Sequence, residues 1–132
     1  MRGRLVIVLA VEVVMSAPLF AHHGSAAFDN GKAAILKGTV AQWVYSNPHC
    51  LLTVDVKGED GTVVRWIAET QAPSIMYPAG YRKDSFKVGD QVTVNVEPVK
   101  NGLPIGRIRE VVLADGTTLG GTNSVPIPPK GQ

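Results

Sequence analysis

The sequence predicts an all-β domain with one short helix: a five-stranded, OB-like antiparallel barrel after an N-terminal signal peptide. Three observations predict it. Leu52, Val54 and Val56, and again Val92, Val94 and Val96, alternate with polar residues at period two, the pattern of half-buried strands. The alternation fails between Gln71 and Lys83, where Pro73 suits the first turn of a helix. Three strands, a helical crossover and two strands is the order of an OB barrel. The first strand is long and carries Gly38 in its middle, as a sharply coiled strand would. An open β-sandwich or meander is the rival arrangement that the same pattern permits.

Residues 1–21 read as the signal peptide. Arg2 and Arg4 are the charged start, Leu5 to Val14 the apolar run, and Leu19-Phe20-Ala21 the cleavage site. The stretch from Leu5 to Phe20, broken by Glu12 and Pro18, is short of the roughly 20 apolar residues of a membrane span. The expectation is therefore export to the periplasm or beyond, with no stable membrane anchor after the cut. Cleavage after Ala21 removes 21 of the 132 residues and leaves 111 beginning at His22. Arg2, Arg4 and Glu12 leave with them, so 11 basic and 10 acidic residues remain. A near-neutral domain without a basic stripe excludes the electrostatic footprint of a nucleic-acid binder. The single cysteine, Cys50, cannot form an internal disulfide.

Residues 22–31 form an N-terminal arm with Phe28 as its anchor, and residues 32–119 form the barrel. The first strand runs from Ala33 to Tyr45 with Leu36, Gly38 and Val40 on one face. Asn47-Pro48 ends it, because Pro48 has no N–H for a ladder and disfavours helix at Asn47. Leu51 to Lys57 is the second strand, and Gly58-Glu59-Asp60-Gly61 a hairpin turn. The third strand has Val64, Trp66 and Ala68 inside, with Arg65 and Glu69 outside. Pro78 and Gly80 limit the following helix to a turn or two. Lys87 to Asp90 turns into the fourth strand. The fifth, Ile105 to Ala114, shifts phase at Glu110-Val111-Val112 as a bulge would. Residues 120–132, with three prolines and several glycines, read as a disordered tail.

A family resemblance rests on particular residues. Ala21-His22-His23-Gly24-Ser25, Phe28-Asp29 and Lys37-Gly38-Thr39-Val40 form the opening. Asn47-Pro48-His49, Trp66-Ile67-Ala68-Glu69, Gly80-Tyr81, Val88-Gly89-Asp90 and Leu113-Ala114-Asp115-Gly116 form the rest. Over residues 21–119 the chain resembles a family of small secreted bacterial proteins known only as a domain of unknown function. The double histidine paired with Asn-Pro-His is the specific part. Cys50 stands where the resemblance leads one to expect serine, and Pro78 where it leads one to expect a basic helix residue. The resemblance implies no activity, cofactor or catalytic residue.

The candidate metal ligands are His22, His23 and His49, with Cys50 and Glu69 behind them. If residue 22 leads the mature chain, its amine and its ring nitrogen chelate together, and a second imidazole from His23 or His49 completes a histidine brace. Amine and imidazole suit Cu(II), with zinc the alternative. The plain reading of His22 and His23 is a flexible terminus, with His49 bonding only a turn carbonyl. Cys50 beside His49 is either a ligand or reactive thiolate or a small buried hydrophobe. Glu69 and Asp29 are carboxylates that could orient a histidine or simply meet solvent. Trp43, Tyr45 and Trp66 are a candidate stacking platform, or else core. No Ser-His-Asp order and no phosphate-binding glycine loop is present.

Three functions follow, and the sequence names no catalytic residue for any of them. The first is a non-catalytic periplasmic binding module holding copper or zinc through His22, His23 and His49. The second is a metal-free adaptor for a protein or small ligand. The third is a copper oxidoreductase using the same brace.

Overall fold

A computed structural model describes residues 27–29 and 31–120. The expected signal peptide, His22 and His23, and tail residues 121–132 lie outside the described residues. The elements are β1 (Ala34–Val44), β2 (Leu51–Lys57), β3 (Val63–Glu69), α1 (Pro73–Met76), β4 (Gln91–Pro98), β5 (Ile105–Leu113) and β6 (Thr118–Gly120). Hydrogen-bonded neighbours run β3-β2-β1-β4-β5-β6, and a further β3–β5 pairing closes five strands into a barrel.

That closing seam is parallel, pairing Ile67 with Ile105 and Glu69 with Arg107. The antiparallel expectation holds for every other pairing. It cannot hold all round, because directions cannot alternate around a closed ring of five strands. The barrel is therefore mixed. β6 is an addition that the sequence reading missed. It folds back on β5 through the Asp115-Gly116 turn and pairs Leu119 with Val111.

Period two places the core. Leu36 and Val40 of β1, Leu52 and Val54 of β2, Ala68 of β3, Val92, Val94 and Val96 of β4, and Ile108 and Val111 of β5 are buried together. Trp66 packs against this cluster but is only half-buried. Val64, expected inside, is 43 % exposed, because it sits where β3 leaves the hairpin turn, beyond the reach of β5.

β1 is shared. Its first half pairs with β4 as far as Thr39, and from Thr39 onward it pairs with β2. Gly38 sits at this changeover, where a Cβ would strike the Asp55 carbonyl oxygen and lie 2.7 Å from Val54 Cγ1. Glycine is thus required for β1 to close on β2. The bulge lies just beyond, between Val40 and Gln42. A second register shift makes Arg109 the extra residue of β5, since Asn95 pairs with Glu110 and Val96 with Ile108. This is one residue from the expected phase change.

The crossover covers one end of the barrel. α1 is a single turn with Pro73 at its start. Trp43 Nε1 donates to the Arg82 carbonyl at 3.0 Å, and the Tyr45 hydroxyl to the Pro73 carbonyl at 3.3 Å. The Trp43 ring meets Phe86 edge-on with centroids 4.9 Å apart, and lies 5.9 Å from Tyr45 and 6.1 Å from Tyr81. Among the described residues no helix is long and apolar enough to cross a membrane.

Candidate functional site

The β1–β2 loop is stitched to the end of β3. The Cys50 amide donates to the Gln71 carbonyl at 2.9 Å, and the Thr70 amide and hydroxyl each donate to the Cys50 carbonyl at 3.0 Å. The loop begins with a cis Asn47-Pro48 bond. His49 is carried between these anchors. Its Nδ1 lies 2.9 Å from the Thr70 carbonyl oxygen and 3.7 Å from Glu69 Oε1. Because a carbonyl only accepts, Nδ1 is the donor, and in the neutral form of the ring the lone pair is at Nε2. The His49 ring is 33 % exposed.

Glu69 reaches His49 for a simple reason. Leu51 and Glu69 are partners across the β2–β3 hairpin, so the residue two before Leu51 meets the end of β3. Cys50 faces the other way: it is fully buried in the core, and burial pushes its thiol pKa up, holding it in the protonated form. Asp29 does not join this group. It pairs with Lys32 at 3.0 Å, whose ammonium and hydrogen bond hold the carboxyl below its ordinary range. Among the described residues, no three His, Cys, Asp or Glu side chains gather around a point that could hold a metal. Trp43, Tyr45 and Trp66 do not form a stacking platform together: Trp43 and Tyr45 are turned onto the crossover, and Trp66 is in none of their ring contacts.

A charged clasp beside the site escaped sequence reasoning. Glu97, 3 % exposed, accepts from Arg107 at 3.1 Å through Oε1 and from Arg109 at 2.7 Å through Oε2. The Arg107 guanidinium carbon lies 4.8 Å from the centre of the Phe28 ring. The arm is also zipped to the end of β4: Asp29 N donates to Pro98 O at 2.8 Å, and Lys100 N to Ala27 O at 3.0 Å. Arg107 is the register partner of Glu69. The clasp and His49 are therefore neighbours across one seam. The available signal was Glu97 before a proline on one strand, with Arg107 and Arg109 two apart on the next.

The family model described as a family of unknown function, DUF6152, matches residues 10–108. The chain belongs to the DUF6152 family. No curated protein and no solved structure matches it. The DUF6152 match takes in both N-terminal histidines, the His49 loop, Glu69 and the start of β5 with Arg107.

Proposed function

We propose that this DUF6152 protein is an exported, non-catalytic binding module of the periplasm. It holds Cu(II), or zinc in its place, through the amine and ring of a leading His22 and through Nε2 of His49. The observation that carries this reading is the 2.9 Å bond between His49 Nδ1 and the Thr70 carbonyl, with Glu69 3.7 Å away. A ring held in this way by a carbonyl and a carboxylate is the usual arrangement of a ligating histidine, with the tautomer set for metal at the other nitrogen. The reach of the arm supports it too. Phe28 lies against Arg107, the register partner of Glu69, and the six peptide steps from His22 to Phe28 span at most about 20 Å when extended. Amine and imidazole donors favour Cu(II).

The test is a Cu(II) titration of the signal-cleaved chain and of the same chain with one extra residue ahead of His22. The extra residue removes the paired amine and ring, so tight binding is lost while circular dichroism stays unchanged. Equal affinity in the two proteins would sink the reading.

A further inference from the structure

A cleft lies at the far end of β2, six residues or about 20 Å along the strand from Leu51. Where β1 transfers from β4 to β2, the strands part and leave an outward-facing cleft of about 590 Å³, the size of a small-molecule site. Register gives its contents. Lys37 pairs with Thr93, and Thr39 with both Gln91 and Asp55. Lys57 stands two residues beyond Asp55 on the same face, and Val112, Leu113 and Ala114 at the end of β5 add an apolar part to the lining.

The charges in this cleft do not cancel. Asp55 is its acidic residue, and Arg65 already holds it with two bonds of 2.7 and 2.8 Å. Lys37 and Lys57 have no ion pair among the described residues. Both line the same cleft, so it presents two cations to an anion. Beside them stand neutral groups. Gln91 Nε2 donates to Thr39 Oγ1 at 2.8 Å, which leaves the Thr39 hydroxyl proton for another acceptor, and Thr93 adds a second hydroxyl.

We infer that this cleft binds an anionic sugar. Lys37 and Lys57 share its carboxylate or phosphate, and Thr39, Thr93 and Gln91 meet its hydroxyls. The site is separate from the histidines and stands whether or not they bind copper.

The test is calorimetric titration of the signal-cleaved protein with glucose 6-phosphate, glucose, inorganic phosphate, galacturonate and trigalacturonate. Glucose 6-phosphate binds more tightly than either glucose or inorganic phosphate. Lys37→Gln and Lys57→Gln each weaken it by about tenfold, as loss of one charge-assisted hydrogen bond does. Lys83→Gln, an exposed lysine of the crossover, leaves it unchanged. Trigalacturonate binding above the monomer assigns the sugar to a polymer; equal binding assigns it to a free sugar. The inference is overturned if none of the anionic sugars binds. Glucose 6-phosphate binding no tighter than phosphate, or Lys83→Gln weakening it as much as the two cleft variants, overturns it as well.

Discussion

The ring of Phe28 lies 4.8 Å from the guanidinium carbon of Arg107, and this contact ties the N-terminal arm to the barrel. Phe28 is only 2 % exposed, so it acts as core although it precedes the first strand. Phe28→Ala should cost about 3–5 kcal/mol, the range for emptying a buried phenylalanine site. Lys32→Ala removes only an exposed ion pair and should stay within about 0.5 kcal/mol. Urea melts compare them. Similar small costs would mean that the arm is laid on the barrel without being part of its core.

Glu97 is the centre of the clasp, and its two partners differ in exposure. Arg107 is 24 % exposed and Arg109 48 %. Glu97→Gln leaves both cations facing a buried neutral group, so it should be the costliest change, at about 1–3 kcal/mol after allowing for solvent at the arginines. Arg109→Gln should cost less than about 1 kcal/mol. The order of the urea midpoints is the readout, and a reversed order would place the energy of the clasp at its exposed edge.

Gly38→Ala tests the coil of β1. The added methyl meets backbone of β2, which cannot swing aside as a flexible side chain would. The cost should be about 1–3 kcal/mol. Gly31→Ala, where nothing lies within 4 Å, is the control and should be close to neutral. Equal stabilities by thermal melts would mean that the β1–β2 fork opens without penalty.

These positions show what was legible in the sequence. Period-two runs in β2 and β4, the Gly58–Gly61 turn and the break at Pro73 are local signals, and each leads to an observed element. The nearness of His49 and Glu69 was legible too, since a turn centred near residue 60 sets Leu51 opposite Glu69. The parallel seam follows from the odd strand number, a property of the closed ring and of no single segment. The clasp was hidden because its four side chains come from the arm, β4 and β5, and only pairing brings them together. β6 was hidden because three residues carrying one large apolar side chain show no period.

Alkaline pH should expose the burial of Tyr81. Its side chain is fully buried, and desolvation, helped by the Glu110 charge, pushes the phenol pKa well above its ordinary value near 10. A group whose folded pKa is raised contributes stability that is complete below its unfolded pKa and is lost as pH rises towards the folded one. Stability should therefore begin to fall above about pH 10. Tyr81→Phe should flatten that fall. At neutral pH its long 3.4 Å bond to the Leu119 carbonyl should be worth no more than about 1 kcal/mol. Urea midpoints between pH 7 and 11 give the comparison, and an unchanged alkaline slope would assign the fall to other groups.

Copper binding should depend on His49 and its supports in a graded way. His49→Ala deletes a ligand, so Cu(II) affinity of the signal-cleaved chain should fall by at least about 10–100-fold, the loss seen when even supporting groups of a metal site are removed. Glu69→Gln leaves the ligand and its Thr70 bond in place and removes only the charge 3.7 Å from Nδ1, so its loss should lie at the low end of that range, about tenfold. His23→Ala should matter less than His49→Ala, because neighbouring residues cannot both chelate easily while the amide between them keeps its proton. Acid should release the metal, since both amine and imidazole must be deprotonated to bind. Isothermal titrations at matched pH, with circular dichroism confirming the fold of each variant, measure all of this. If His49→Ala and Glu69→Gln bind copper as the parent does, His49 is an element of the loop alone. Copper held by the chain would then be a property of its terminus.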